Sequence, residues 1–143
     1  MSAAGSDADA PVRFAGYAAV FEARDNGGDI ISPGAFARSL ARRGGEALPL
    51  LWQHQPGQQI GVVEMIREDE RGLRVIGRIE PRGATARRAA AALCAGAIDG
   101  LSFGYRVVAA RGEAPRRLDA LDVVEVSLVS YPMQPLARVH AVA

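Results

Sequence analysis

Ile98–Ala110 (IDGLSFGYRVVAA) and Leu118–Ser130 (LDALDVVEVSLVS) are two long runs of strand-forming residues, and the stretch Arg111–Arg117 between them is polar and carries Gly112 and Pro115. Two long strands joined by a turn set the fold class as mainly β. Upstream, Gly83–Gly96 (GATARRAAAALCAG) is the strongest helix signal in the chain, alanine-rich with a glycine to stop it. Before it, IGVVEMIRED and GLRVIGRIE read as a hairpin turning at Asp69–Gly72, with Leu73, Val75 and Ile79 alternating with Arg74 and Arg78. Ala47–Gln53 (ALPLLWQ) is an apolar strand that runs into a polar turn at His54–Gly57.

The N-terminal third adds a strand at Val12–Phe21 and a turn at Arg24–Gly28. A short helix then follows in Gly34–Arg43, with Phe36, Leu40, Ala37 and Ala41 on one face and Arg38, Arg42 and Arg43 outside. Leu136–Val142 supplies a last strand. The count is about seven strands and two helices, which predicts a β-barrel or strongly curved sheet with helices outside. Met1–Pro11, small and acidic, is expected to be a flexible leader, and residues 12–143 a single domain.

Composition narrows the function. The 17 basic residues are all arginine and are balanced by 16 acidic ones spread along the chain, so no dedicated nucleic-acid face is expected. No apolar run approaches the roughly 18 residues of a membrane span, and no secretory leader pattern opens the chain. Cys94 is the single cysteine; it cannot form an internal disulfide, and in its alanine-rich helix it is expected to be a small buried thiol rather than a nucleophile. Two distant histidines and one cysteine do not make a zinc ligand set, so neither metal nor cofactor is expected.

Only His54 and His140 can serve as a histidine base, and His140 lies three residues from the end of the chain, in a segment expected to be mobile, which favours His54. Gly100–Gly104 spells G-x-S-x-G around Ser102. A hydrolase nucleophile elbow would follow a strand and open a helix, whereas this motif follows a helix and opens a strand, so the elbow reading fails on context. What survives is a serine with small neighbours at a strand start. Glu125 in VVEVSLV is the third notable residue, because a carboxylate in an apolar strand needs either solvent or a partner. Period two puts Val123, Glu125, Ser127 and Val129 on one face. If that face is wet, Glu125 is simply solvated; if it is the face near Ser102, Glu125 can accept the Nδ1 proton of His54.

Five phrases, FAGYAAVFEARDNGGDIISPGAFARSL, LPLLWQHQPGQQIGVV, GLRVIGRI, GAIDGLSFGYRV and LDVVEVSLVSYPMQPLARV, occur in an order that resembles the prohead maturation proteases of tailed bacteriophages, a family related to the herpesvirus assemblins. The resemblance spans about residues 12–140. It implies an assemblin-type barrel of about seven strands and a serine endopeptidase that cleaves scaffold or the scaffolding segment of the major capsid protein, and itself in some members. The site of action would be the procapsid in the bacterial cytoplasm, and the enzyme a homodimer. By position, His54 matches the catalytic histidine, Ser102 the nucleophile and Glu125 the third member, with Asp122 and Asp119 as competitors. Arg138 is the nearest match to the arginine-containing oxyanion segment of the viral relatives, with Arg106 and the backbone amides beside Ser102 as alternatives. A silent capsid-binding module on the same barrel, or a hydrolase of another substrate class, are the rival readings.

Overall fold

A computed structural model describes residues 10–143, so the expected leader lies, except for Ala10 and Pro11, outside the described residues. The elements in chain order are β1 Val12–Val20, β2 Asp29–Ile31, α1 Ala37–Arg43, β3 Leu48–Trp52, β4 Gln55–Glu68, β5 Gly72–Ile79, α2 Ala84–Cys94, β6 Gly100–Arg111, β7 Arg116–Val129 and β8 Val139–Val142. All eight strands belong to one sheet. β6 covers one edge of β7, and β2 and β3 share the other, both parallel to β7 and at opposite ends of it. From β3 the sheet continues through β4, β5 and β1 to β8.

The sheet curls until the segment leading into β8 meets β6. Leu101 N–H bonds Ala137 O at 2.9 Å, Val139 N–H bonds Asp99 O at 2.8 Å, and Tyr17 N–H bonds Arg138 O at 3.1 Å, so residues 137–139 bridge the seam between β1 and β6. Inside lie Phe14, Leu48, Leu50, Val63, Leu73, Val75, Ile79, Leu101, Leu121, Val126 and Leu128, all buried. Each fully buried side chain of this kind contributes about 1.5–3 kcal/mol, which is why a curled wall of alternating residues closes on itself rather than staying flat. The hairpin expected at Asp69–Gly72 forms as read: the Asp69 carboxylate accepts the N–H groups of Arg71 and Gly72. α2 packs on β3, β4 and β5 through Ala86, Ala89, Ala90 and Leu93. Among the described residues no helix is long and apolar enough to cross a membrane.

Several local expectations are corrected. α1 buries Ser39 and leaves Ala37 and Ala41 exposed, because Ser39 Oγ accepts the Val123 N–H (3.0 Å) and draws that face onto β7, with Phe36 buried just ahead of the helix. Cys94 is exposed rather than buried, since it ends α2 on the side away from Leu93. His140 lies in β8 with its ring edge-on to Tyr17, 5.6 Å between centroids, rather than in a mobile tail, and the last strand starts at Val139, not Leu136.

β2 was not anticipated. Three residues are too few to show a period, and the strand forms because Asp29 stands opposite Arg116 and takes its guanidinium on both carboxylate oxygens, at 3.0 and 2.8 Å. That hydrogen-bonded cation holds the Asp29 carboxyl below the usual carboxylate range. A depressed folded-state pKa means that the pair's stabilisation is complete above the unfolded-state pKa and is lost as pH falls through the folded one. Asp29→Asn is therefore expected to lower stability at neutral pH and to flatten its decline on acidification, read from urea unfolding at neutral and acid pH.

Candidate active site

β3 and β4 are joined by two residues, Gln53 and His54, both in the left-handed region with φ of 51° and 59°, and Trp52 pairs with Gln55 across them. Positive φ at both central positions is the backbone of a two-residue hairpin whose twist matches its strands. The sequence placed the turn at His54–Gly57 because Pro56 and Gly57 are the stronger local signal. They lie instead within β4, in a bulge: Gln55 pairs with Trp52 and Gln59 with Leu51, so three β4 residues have no counterpart.

A non-glycine residue at positive φ costs about 1 kcal/mol or more, and persists where surrounding bonds over-determine it. Here they do. Gln53 N–H bonds Leu128 O, the Gln53 side chain exchanges two hydrogen bonds with Ser130, and His54 N–H donates to Ser127 Oγ at 3.1 Å. The turn is thus pinned to the end of β7, and the His54 ring is held beside that strand.

His54 Nδ1 lies 2.6 Å from Glu125 Oε1, and Ser127 Oγ donates to Glu125 Oε2 at 2.7 Å. Glu125 is buried, 8% exposed, so a charge there needs such partners, and both of its oxygens have one. The Ser127 hydroxyl accepts from His54 N–H, which directs its own proton to Glu125. With the carboxylate accepting on both sides, the neutral imidazole carries its proton on Nδ1 and leaves Nε2 as a base.

Glu125 reaches this position because β7 does not keep period two. Gly104 pairs with Glu125 but Tyr105 with Val123, so Val124 is an extra residue, half exposed. The bulge moves Val123 into the core together with Val126 and Leu128, and turns Glu125 and Ser127 to the opposite face. Ser102 pairs with Ser127 across the ladder, and directly opposed residues share a face, so the hydroxyl stands on the Glu125 side of the wall while Leu101 and Phe103 point to the core. Gly104 has a steric role. A Cβ there would sit 2.4 Å from Glu125 Oε1, so the second glycine of G-x-S-x-G clears space for the carboxylate instead of bending the chain. Gly100 likewise leaves room for Val129 O and Pro132.

His54 and Ser102 line one cavity of about 90 Å³, together with Ala18, Asp25, Ile31, Phe103, Tyr105, Met133 and Gln134. The other sequence candidates are elsewhere. Asp119 is bonded to Arg111 (2.7 Å), which more than any other group holds its carboxyl below the usual range, and to Ser32 (2.9 Å), and Asp122 is paired with Arg42. Arg138 is engaged by Asp99 at 2.8 Å and Pro135 O at 2.9 Å, and Arg106 borders a separate groove with Ser39, Arg43 and Val124. Two further residues stand here without a sequence signal of their own: Ser127, which period two puts on the Glu125 face, donates to that carboxylate, and Asp25, which reads only as part of a turn, lines the cavity.

Residues 2–143 match the family of caudovirus prohead serine proteases. The chain belongs to that family. The prohead protease of Enterobacteria phage HK97 is 32% identical over 135 residues, which cover 90% of this chain but only 59% of that protein. Among solved structures, the capsid assembly protease of bacteriophage T4 has a TM-score of 0.65 at 15% identity, covering 82% of this chain and 80% of that one. The KSHV protease bound to a hexapeptide phosphonate inhibitor has a TM-score of 0.65 at 14% identity, covering 94% and 65%. The barrel of this prohead protease family member is therefore the assemblin-type barrel expected from the sequence.

Proposed function

We propose that the protein is a serine endopeptidase of capsid maturation that cuts scaffold, or the scaffolding segment of a major capsid protein, inside a tailed-phage-type procapsid in the bacterial cytoplasm. The observation that carries the reading is that His54, bonded to Glu125, lines the same cavity as Ser102, so that three side chains drawn from a hairpin turn and two long strands come together. His54 Nε2 takes the Ser102 proton as Oγ attacks the peptide carbonyl, then returns it to the leaving amine; Glu125 stays ionised and holds the imidazolium. Ser127 acts through both partners, fixing the His54 backbone and the free oxygen of Glu125.

The oxyanion needs a donor beside Ser102. Arg138 and Arg106 are not among the residues lining the cavity. Leu101 N–H points away from β7 to Ala137 O, and strand alternation puts the Phe103 N–H on that same edge, next to the nucleophile. This amide is the donor we favour. The family resemblance adds a homodimer, in which case confinement within a shell would raise activity by mass action. The test is incubation with the coat and scaffold proteins of the same particle. Cleavage that a fluorophosphonate blocks, with the adduct mapped to Ser102, is the expected result; cleavage indifferent to the reagent would reject the serine mechanism.

A further inference from the structure

The cavity holds more than the reacting groups. Ala18, Ile31, Phe103 and Met133 give it apolar walls, and Gln134 has its amide fully occupied, accepting from Val20 N–H and donating to Val20 O and Ala23 O. Two polar groups are left over. Asp25 is 91% buried; its Oδ1 accepts the N–H groups of Gly27 (2.8 Å) and Asp29 (2.9 Å), while its Oδ2 has no hydrogen-bond partner among the described residues. The Tyr105 hydroxyl has none either, and burial together with the nearby Asp25 and Asp29 charges raises its pKa, keeping it a neutral O–H. Arg116 is hydrogen-bonded to Asp29 and also feels the Asp25 charge from a distance, but among the described residues no cation forms an ion pair with Asp25.

A buried carboxylate with an unfilled oxygen, facing a cavity several times larger than one water needs, is a site built for a hydrogen-bond donor that arrives from outside. Its charge selects a cation, and its apolar walls select one carried on an aliphatic stem. We propose that this part of the cavity is a side-chain subsite for a basic residue, lysine or arginine, at the position whose carbonyl Ser102 attacks. The cationic head lies on Asp25 Oδ2 with the Tyr105 hydroxyl beside it, and the methylenes lie along Ile31, Phe103 and Met133. This subsite rests on the serine-peptidase reading above.

The test uses peptidyl diphenyl phosphonates that differ only in the side chain next to phosphorus: lysine, its uncharged isostere norleucine, and glutamate. Rates of covalent labelling are followed by intact mass on the folded protein. The lysine reagent is expected to label at least tenfold faster than norleucine and the glutamate reagent slowest. Asp25→Asn keeps an Oδ1 to accept the Gly27 and Asp29 amides and removes only the charge, so it should reduce the lysine-to-norleucine ratio at least fivefold. Tyr105→Phe, which does not touch that loop, should reduce the same ratio two- to threefold. Labelling of Ser102 with no lysine preference, or a preference that survives Asp25→Asn, overturns the subsite and leaves the serine mechanism standing. No labelling by any reagent overturns both.

Discussion

Replacing Ser102 by alanine is expected to stop cleavage of the capsid partner, with a fall in rate of about 10⁴-fold or more, while the protein stays folded. The size follows from the division of labour. On the proposed mechanism no acyl-enzyme forms without Oγ, and His54 and Glu125 have nothing to activate except a poorly placed water. The fold survives because Ser102 Oγ makes no hydrogen bond within the described residues, and its neighbours across and along the strand, Ser127 and Gly104, are small. A stability change within about 1 kcal/mol is the corresponding expectation for a substitution that leaves no buried partner unpaired. The measurement is coexpression with the coat protein, scored by the mass of the coat chain, beside thermal unfolding of the purified variant. Coat cleavage that persists in Ser102→Ala would remove Ser102 from the mechanism.

Glu125→Gln is expected to cost about 10³–10⁴-fold in kcat with little change in KM, even though the two side chains have the same shape. The native carboxylate accepts from His54 Nδ1 and from the Ser127 hydroxyl. A glutamine has one oxygen and one NH₂ to offer to these two donors. If the oxygen faces His54, the amide meets Ser127 Oγ, whose own proton loses its acceptor, and the imidazolium loses its counter-charge. If the amide faces His54, the ring must carry its proton on Nε2, and no base remains for Ser102. Either outcome acts on the proton-transfer step rather than on substrate binding. Nitrogen NMR of the two histidines reads the tautomer directly. An unchanged His54 tautomer together with unchanged kcat would show that Glu125 is only a buried structural acid.

Much of this site was legible before any fold was seen, and the reason differs from residue to residue. With two histidines in the chain, one of them near its end, His54 stood out by elimination. Ser102 stands out by its glycines, but the role of Gly104 is not local: it clears room for a carboxylate that arrives from another strand, and no local rule contains that strand. Glu125 was conspicuous as a charge among valines. The choice between Glu125, Asp122 and Asp119 could not be made from spacing, since all three lie on β7 and only their partners differ: His54, Arg42 and Arg111.

The expectation that Val123 shares a face with Glu125 fails because of the bulges of β6 and β7. Core positions on β7 run Leu118, Leu121, Val123, Val126, Leu128, a spacing of three, two, three and two that matches neither a strand nor a helix. The register shifts at Gly104/Tyr105, Val107/Ala109 and Ala109/Ala110 explain it, because an extra residue on one strand resets which side chains face inward. Whether a residue is extra depends on how many stand opposite, which is a property of the pair.

The amino-acid sequence by itself determined the mainly β class, the α2 helix, the β4–β5 hairpin and the chemical types at the site, because periodicity, glycine placement and the scarcity of histidine act within a few residues or by simple count. Tertiary structure alone decided that Gln53–His54 is the turn, that Asp29–Ile31 is a strand, that residues 137–139 bridge the barrel seam, and that Asp25 and Tyr105 border the Ser102 cavity. The first three are each stabilised by a bond to a segment remote in the chain: Ser127 and Ser130 to the turn, Arg116 to Asp29, Asp99 and Leu101 to the seam. Such bonds exist only after the wall has curled, when groups separated along the chain become each other's nearest polar partners.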